Sequence, residues 1–130
     1  MHQKTQPRIL IVDDEPSVSA VMRQVLEALG YSSSICNNGN EALLQFQDGT
    51  YDVVLTDYRM PEMSGIELCR QIRKCNSSVP VILMSGYSPT TEENEMHLSP
   101  INLILEKPIE MACLDRAIKS SMLSNRSNDY

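Results

Sequence analysis

The segment that decides the fold runs from Ile9 to Pro16 and reads Ile-Leu-Ile-Val-Asp-Asp-Glu-Pro. Its first residues are apolar and mostly β-branched, which is the pattern of a short strand buried on both faces of a parallel sheet. Acidic residues and a proline follow, and proline suits the first turn of a helix. The segment therefore predicts a buried strand, an acidic turn and the start of a helix.

The same order of strand and helix recurs along the rest of the chain. Apolar residues at helical spacing extend from Val18 to Leu29, and Gly30 is a typical helix stop. Further strands are predicted at 32–36, 53–55, 81–84 and 103–105, and further helices at 40–47, 64–74, 91–98 and 111–123. This alternation predicts an α/β fold, with a parallel sheet, right-handed crossovers and helices on both faces.

Length and charge limit the class of protein. The chain has 130 residues, the size of one domain, and is 42% hydrophobic, which is too apolar for a disordered protein. Its 11 Lys and Arg residues against 17 Asp and Glu residues give a net charge of −6, which argues against direct binding of nucleic acid. The apolar runs are far shorter than the roughly 20 residues of a membrane-spanning helix, and the N-terminus lacks a signal-peptide core. We therefore expect a cytoplasmic protein that does not contact a membrane.

The cysteines do not indicate a metal site. Cys36, Cys69, Cys75 and Cys113 include no Cys-x-x-Cys pair, and no histidine lies at a ligand-like spacing from them. We expect reduced thiols that pack as small apolar side chains.

Polar residues stand at the ends of four predicted strands. Asp13 and Asp14 follow the first strand, Asp57 the third, Ser85 the fourth and Lys107 the fifth. Each alone has an ordinary explanation as a helix cap or turn residue. Because the carboxyl ends of parallel strands meet at one edge of a sheet, we expect all of them to converge there. Crowded carboxylates favour a hard cation such as Mg²⁺, and an ammonium and a hydroxyl beside it suit phosphoryl oxygens.

Four segments at these strand ends resemble the receiver domain of two-component response regulators. They are Ile9–Pro16, Thr56–Gly65, Met84–Tyr87 and Glu106–Pro108. The resemblance implies a doubly wound, five-stranded parallel sheet of order 2-1-3-4-5, the flavodoxin-like arrangement. We expect a receiver domain at residues 8–123 with flexible termini at 1–7 and 124–130, either as a stand-alone protein or as part of a hybrid sensor kinase.

The resemblance also implies how the acidic residues act. Asp57 would accept a phosphoryl group from a histidine kinase or a histidine phosphotransfer domain, giving an aspartyl phosphate. Asp13, Asp14 and Asp57, together with the backbone carbonyl of Arg59, would hold Mg²⁺.

The remaining site residues would contact the phosphoryl group. The resemblance implies that Lys107 and Ser85 each contact a phosphoryl oxygen, and that the peptide bond before Pro108 is cis. Many receivers carry an aromatic residue where this chain has Ile104, so an aromatic flip cannot report phosphorylation here.

We therefore expect a phosphorelay switch that changes its binding to an unidentified downstream protein. It would catalyse only its own phosphorylation and dephosphorylation and would not be an enzyme with a separate substrate. A phosphatase of the haloacid-dehalogenase type needs a second Asp two residues after its nucleophile, whereas this chain has Glu15 and Arg59 there. Arg59 and Tyr87 flank the expected site, where they either shield the acyl phosphate from water or lie solvated at its rim.

Overall fold

The computed structural model describes residues 6–86, 101 and 103–127. The elements in this part of the chain are β1 (Arg8–Val12), α1 (Pro16–Ala28), β2 (Ser32–Cys36), α2 (Gly39–Asp48), β3 (Val53–Asp57), α3 (Gly65–Cys75), β4 (Val81–Ser85), β5 (Leu103–Glu106) and α4 (Met111–Ser127). The helix predicted at 91–98 lies outside the described residues.

The strands form one parallel sheet in the order β2-β1-β3-β4-β5, so the predicted fold class and strand order are confirmed. The register places Thr56 of β3 beside Val12 of β1 and Leu83 of β4. The carboxyl ends of the three central strands therefore lie level with one another, at one edge of the sheet.

Helices cover both faces of the sheet, which explains why the central strands are apolar on both sides. On the face covered by α1 and α4, the core includes Leu26, Ile11, Leu55 and Leu114. On the face covered by α2 and α3, it includes Leu10, Val54, Phe46 and Leu68. In the part of the chain that is described, no helix has the length and apolar character needed to cross a bilayer.

Local signals set most of the helix starts and stops. Helix α1 begins at Pro16, and the chain turns after it at Gly30, whose φ of 94° suits a residue without a side chain. Helix α3 begins after Ser64, whose side chain accepts a hydrogen bond from the amide of Glu67 at 3.2 Å. The segment Ser64–Glu67 has the sequence pattern of a capping box, in which the carboxylate of Glu67 would also accept from a backbone amide at the helix start. In the structure, this carboxylate instead accepts from the side chain of Gln71 at 2.7 Å.

Some elements are longer than the sequence predicts. Strand β3 continues to Asp57 and β4 continues to Ser85, because strand pairing uses backbone groups and is indifferent to a polar side chain at the end. Helix α4 continues past the predicted domain boundary at residue 123 to Ser127, in a stretch that contains no glycine or proline to stop it.

A polar contact ties α4 to the turn between α1 and β2. The hydroxyl of Tyr31, a residue only 4% exposed, donates to Asp115 Oδ1 at 2.8 Å, and Lys119 Nζ lies 3.1 Å from Asp115 Oδ2. The hydrogen bond from Tyr31 is the main cause of a lowered pKa at Asp115, and the ammonium of Lys119 adds to it. Burial and the neighbouring carboxylate raise the pKa of Tyr31.

Strand β2 lies at one edge of the sheet and is rich in hydroxyl groups. It reads Ser-Ser-Ser-Ile-Cys and is only partly buried before its last residue. The guanidinium of Arg23 on α1 donates to the backbone carbonyl of Ser33 at 3.5 Å.

Candidate functional site

Three acidic residues meet at the carboxyl edge of the sheet. Asp13 is 0% exposed and Asp57 is 7% exposed, whereas Asp14 is half-buried. One carboxylate oxygen of each lies within 4.8 Å of the other two. The convergence expected from the strand pattern is therefore present.

The carboxylate of Asp57 is held from two sides. Its Oδ1 accepts a hydrogen bond from the amide of Tyr58 at 3.0 Å, and Lys107 Nζ lies 3.0 Å from the same oxygen. The amide of Tyr58 also donates to the carbonyl of Met84 at 2.9 Å. One oxygen of the Asp57 carboxylate is thus held by the backbone amide at the end of β3 and by the side chain of Lys107, which follows β5.

Asp13 is the most buried of the three acids. Its Oδ1 accepts from the amide of Glu15 at 2.9 Å, while its buried Oδ2 has no hydrogen-bond partner among the residues that the structure describes. Lys107 Nζ lies 3.9 Å from Oδ2. Burial is the main cause of a raised pKa at Asp13, and the charges of Asp57 and Asp14 raise it further, while the Glu15 hydrogen bond and Lys107 lower it.

These donors suit a hard divalent cation. The cluster of Asp13, Asp14 and Asp57 offers oxygen ligands only, and within the described part of the chain no donor reaches the buried Oδ2 of Asp13. Carboxylate oxygens with room for water are the ligands that Mg²⁺ prefers. Arg59 lines the same cavity as Asp14 and Asp57, and the role of its carbonyl as a ligand stays a prediction.

A cavity of about 220 Å³ opens beside Asp57. Its lining residues are Asp14, Glu15, Asp57, Tyr58, Arg59, Ser85, Gly86 and Lys107. Ser85 is 3% exposed, and its carbonyl accepts from the amide of Lys107 at 2.7 Å, which joins the ends of β4 and β5. The peptide bond between Lys107 and Pro108 is cis, as the resemblance implied.

The loop after β3 is anchored at both ends. The amide of Gly65 donates to the carbonyl of Tyr58 at 2.8 Å, which closes the loop onto the start of α3. The side chain of Met63 packs so closely on Gly39 that a Cβ there would lie 2.6 Å from its sulfur. Glu62 adopts the left-handed conformation with φ of 70°, which is uncommon for a residue with a side chain.

The remaining sequence predictions concern Arg59, Tyr87 and Ile104. The guanidinium of Arg59 lies 5.7 Å from the centre of the Tyr58 ring, and Arg59 lines the cavity. Tyr87 lies outside the described residues, and Ile104 is 44% exposed on β5. Sequence reasoning missed Thr56, whose buried hydroxyl donates to the carbonyl of Asp57; a hydroxyl residue inside an apolar strand was the available signal.

Solved structures of receiver domains share this fold and a substantial part of the sequence. The response regulator TrrA from Thermotoga maritima, solved in complex with Mg²⁺-BeF, superimposes with a TM-score of 0.82 at 32% identity, covering 89% of this chain and 99% of that one. The receiver domain of a sensor histidine kinase from Pseudomonas aeruginosa, solved with a magnesium ion coordinated in its active site cleft, gives 0.84 at 27% identity, covering 90% and 98%.

Sequence comparison leads to the same family. The transcriptional regulatory protein ZraR of Klebsiella oxytoca is 33% identical over 124 residues, which are 95% of this chain but only 28% of that protein. The chain therefore spans about a quarter of the length of this relative. The family model described as "Response regulator receiver domain" matches residues 9–119. Because that match covers most of the chain, including Asp13, Asp14 and Asp57 at the acidic edge of the sheet, this chain belongs to the response regulator receiver domain family of two-component signalling.

Proposed function

We propose that this receiver domain is a phosphorelay switch that accepts a phosphoryl group on Asp57. The observation that carries the proposal is the position of Lys107 Nζ, 3.0 Å from Asp57 Oδ1, in a cavity that Asp14 and Ser85 also line. Phosphoryl transfer requires an acceptor and positively charged or polar donors for the phosphoryl oxygens. Asp57 is a carboxylate acceptor, and Lys107 and Ser85 carry an ammonium and a hydroxyl group beside it.

The chemistry follows from this arrangement. A carboxylate oxygen of Asp57 forms a bond to phosphorus, while the bond from phosphorus to the imidazole nitrogen of a phosphohistidine breaks and that nitrogen keeps the electron pair. Lys107 and Ser85 donate to the phosphoryl oxygens. Asp13, Asp14 and Asp57, with the carbonyl of Arg59, would hold Mg²⁺, which neutralises charge that develops on the transferred group.

The relatives support this assignment. One solved receiver belongs to a sensor histidine kinase and carries magnesium in its cleft, and another was solved with Mg²⁺-BeF. We propose that the phosphoryl donor of this chain is likewise a histidine kinase or a phosphotransfer protein, and that the output is altered binding to another protein. ZraR is named a transcriptional regulatory protein, so the absence of direct nucleic-acid contact here stays a prediction, supported by the net charge of −6. A cytoplasmic location and the lack of a separate substrate also stay predictions.

Contacts to a phosphoryl group would contribute part of the free energy that a switch requires. Moving a protein from almost entirely inactive to almost entirely active takes about 5.5 kcal/mol of differential interaction. An ion pair near a surface gives about 4 kcal/mol at 4 Å before desolvation, and a hydrogen bond to a charged group gives about 1.5 to 3 kcal/mol net. Lys107 already lies 3.0 Å from Asp57 Oδ1 without a phosphoryl group, so only the strengthening of that ion pair counts towards the shift. A new hydrogen bond from Ser85 would add to it.

Intact-mass measurement tests the proposal. The purified chain is incubated with Mg²⁺ and acetyl phosphate, beside Asp57→Asn as the control. We expect wild type to gain the mass of one phosphoryl group and the variant to gain none. An adduct of equal yield on both proteins, or none on wild type, would contradict the proposal, and steady hydrolysis of a phosphate ester would point to a phosphatase.

A further inference from the structure

The strand that carries Asp57 contains a second polar residue, Thr56, which the proposed chemistry does not use. Thr56 is 0% exposed and lies between Val12 and Leu83 of the neighbouring strands. Its hydroxyl donates a hydrogen bond to the backbone carbonyl of Asp57 at 3.0 Å. Burying a hydroxyl group without a hydrogen-bond partner costs free energy. The hydrogen bond to the Asp57 carbonyl therefore stabilises Thr56 in its buried position.

The carbonyl that Thr56 binds belongs to the same peptide unit as the amide of Tyr58. That amide donates to Asp57 Oδ1 at 3.0 Å and to the carbonyl of Met84 at 2.9 Å. Since a peptide unit is planar, its oxygen and its N–H turn together. The hydroxyl of Thr56 therefore restrains one end of the unit whose other end orients the Asp57 carboxylate.

The start of α3 packs directly on this carbonyl. A Cβ on Gly65 would collide with the oxygen of Asp57 and would lie 2.6 Å from Leu83 Cδ1. A carbonyl enclosed in this way depends on a protein donor, because a buried acceptor left unpaired destabilises the arrangement that buries it. Loss of the hydroxyl would favour rotation of the peptide unit, which withdraws the Tyr58 amide from Asp57 Oδ1.

We propose that Thr56 is a positioning residue for phosphoryl transfer, which holds the peptide unit between Asp57 and Tyr58 and thereby the nucleophilic carboxylate. The inference rests on the proposed function. Thr56 acts after the donor is bound, so its loss lowers the maximal rate of phosphorylation and leaves the half-saturating concentration of the donor unchanged. Alignment of a bound nucleophile affects the reaction step and not the affinity.

Three variants separate alignment from packing. Thr56→Val removes the hydroxyl and keeps the shape, Thr56→Ser keeps the hydroxyl, and Val54→Ala opens a cavity on the same face of β3 two residues earlier. Phosphorylation by acetyl phosphate with Mg²⁺ is followed across donor concentrations, and the amide of Tyr58 is followed by NMR. We expect the maximal rate to fall about tenfold in Thr56→Val and to stay within about twofold of wild type in the other two. The Tyr58 amide resonance should move in Thr56→Val alone.

The outcomes are distinct. An unchanged maximal rate in Thr56→Val, an equal loss in Thr56→Ser, or an equal loss in Val54→Ala each overturns the inference. If Thr56→Val does not fold, Thr56→Ala takes its place as the variant without a hydroxyl. Failure of wild type itself to accept a phosphoryl group overturns the proposed function, and the role of Thr56 with it.

Discussion

Replacing Asp13 by Asn should stabilise the folded chain when divalent metal is absent. The Asp13 side chain is fully buried, its Oδ2 accepts no hydrogen bond among the described residues, and a carboxylate oxygen of Asp57 lies within 4.8 Å. At an effective dielectric constant of about 20, a like charge at this distance costs about 3.5 kcal/mol, and Lys107 Nζ at 3.9 Å offsets this by about 4 kcal/mol. These two Coulomb energies nearly cancel. The cost of burying the charge therefore remains, and the nearby charge of Asp14 adds to it. Removing the charge of Asp13 should stabilise the fold by about 1 to 3 kcal/mol.

The stabilisation should depend on pH, because burial and the charge of Asp57 raise the pKa of Asp13. The folded pKa then lies above the unfolded value of about 3.9, so the folded chain binds more protons between the two values. The free energy of unfolding of wild type therefore falls as pH rises through that interval. Asn does not titrate, so its advantage should be full near pH 7 and should shrink as pH falls towards about 4.

Urea unfolding in EDTA at several pH values measures this difference. Asn keeps the Oδ1 that accepts from Glu15 and replaces the charged Oδ2 by an uncharged amide group of similar size. Asp48→Asn is the matched control, because Asp48 is exposed at the end of α2 and its substitution should change stability little. Equal stability of wild type and Asp13→Asn at neutral pH, or an advantage that grows as pH falls, would refute the reasoning.

Three further predictions concern the site and its supports. Gly65→Ala should lower the free energy of unfolding by about 1 to 3 kcal/mol, because the new Cβ collides with the carbonyl of Asp57; a normal thermal midpoint would contradict this. Ser85→Ala should accept the phosphoryl group by intact mass yet show a smaller conformational change by amide NMR, and equal losses in both would count against it. Tyr31→Phe should be less stable than wild type at neutral pH in urea unfolding. Since the folded pKa of Asp115 is lowered, this difference should shrink as pH falls through that pKa, below about 4, and a constant difference would argue against the hydrogen bond.

The site could be predicted from sequence because it is built from strand ends. Ile9–Val12 and Val53–Leu55 are recognisable as buried strands, and the topology of a parallel sheet then brings Asp13, Asp14 and Asp57 together without knowledge of any distance. The same reasoning places Lys107 at that edge.

Contacts between elements could not be predicted in this way. The role of Thr56 depends on α3 packing against the carbonyl of Asp57, which no local pattern encodes. The prediction that the carboxylate of Glu67 caps α3 was wrong for a similar reason. Gln71, one turn later on α3, donates to that carboxylate instead. The end of α4 at Ser127 was missed because polar residues are compatible with both a helix and a tail.

The serines of β2 have a consequence for how the protein behaves at high concentration. An outer strand exposes backbone groups that a strand from another molecule could pair with, and apolar outer strands seed such association. Here the outer strand carries Ser32, Ser33 and Ser34, and Arg23 already occupies the carbonyl of Ser33. A second molecule that paired with β2 would bury little apolar surface and would have to displace the guanidinium of Arg23 from the carbonyl of Ser33. We therefore expect that the purified domain does not self-associate through β2 as it is concentrated.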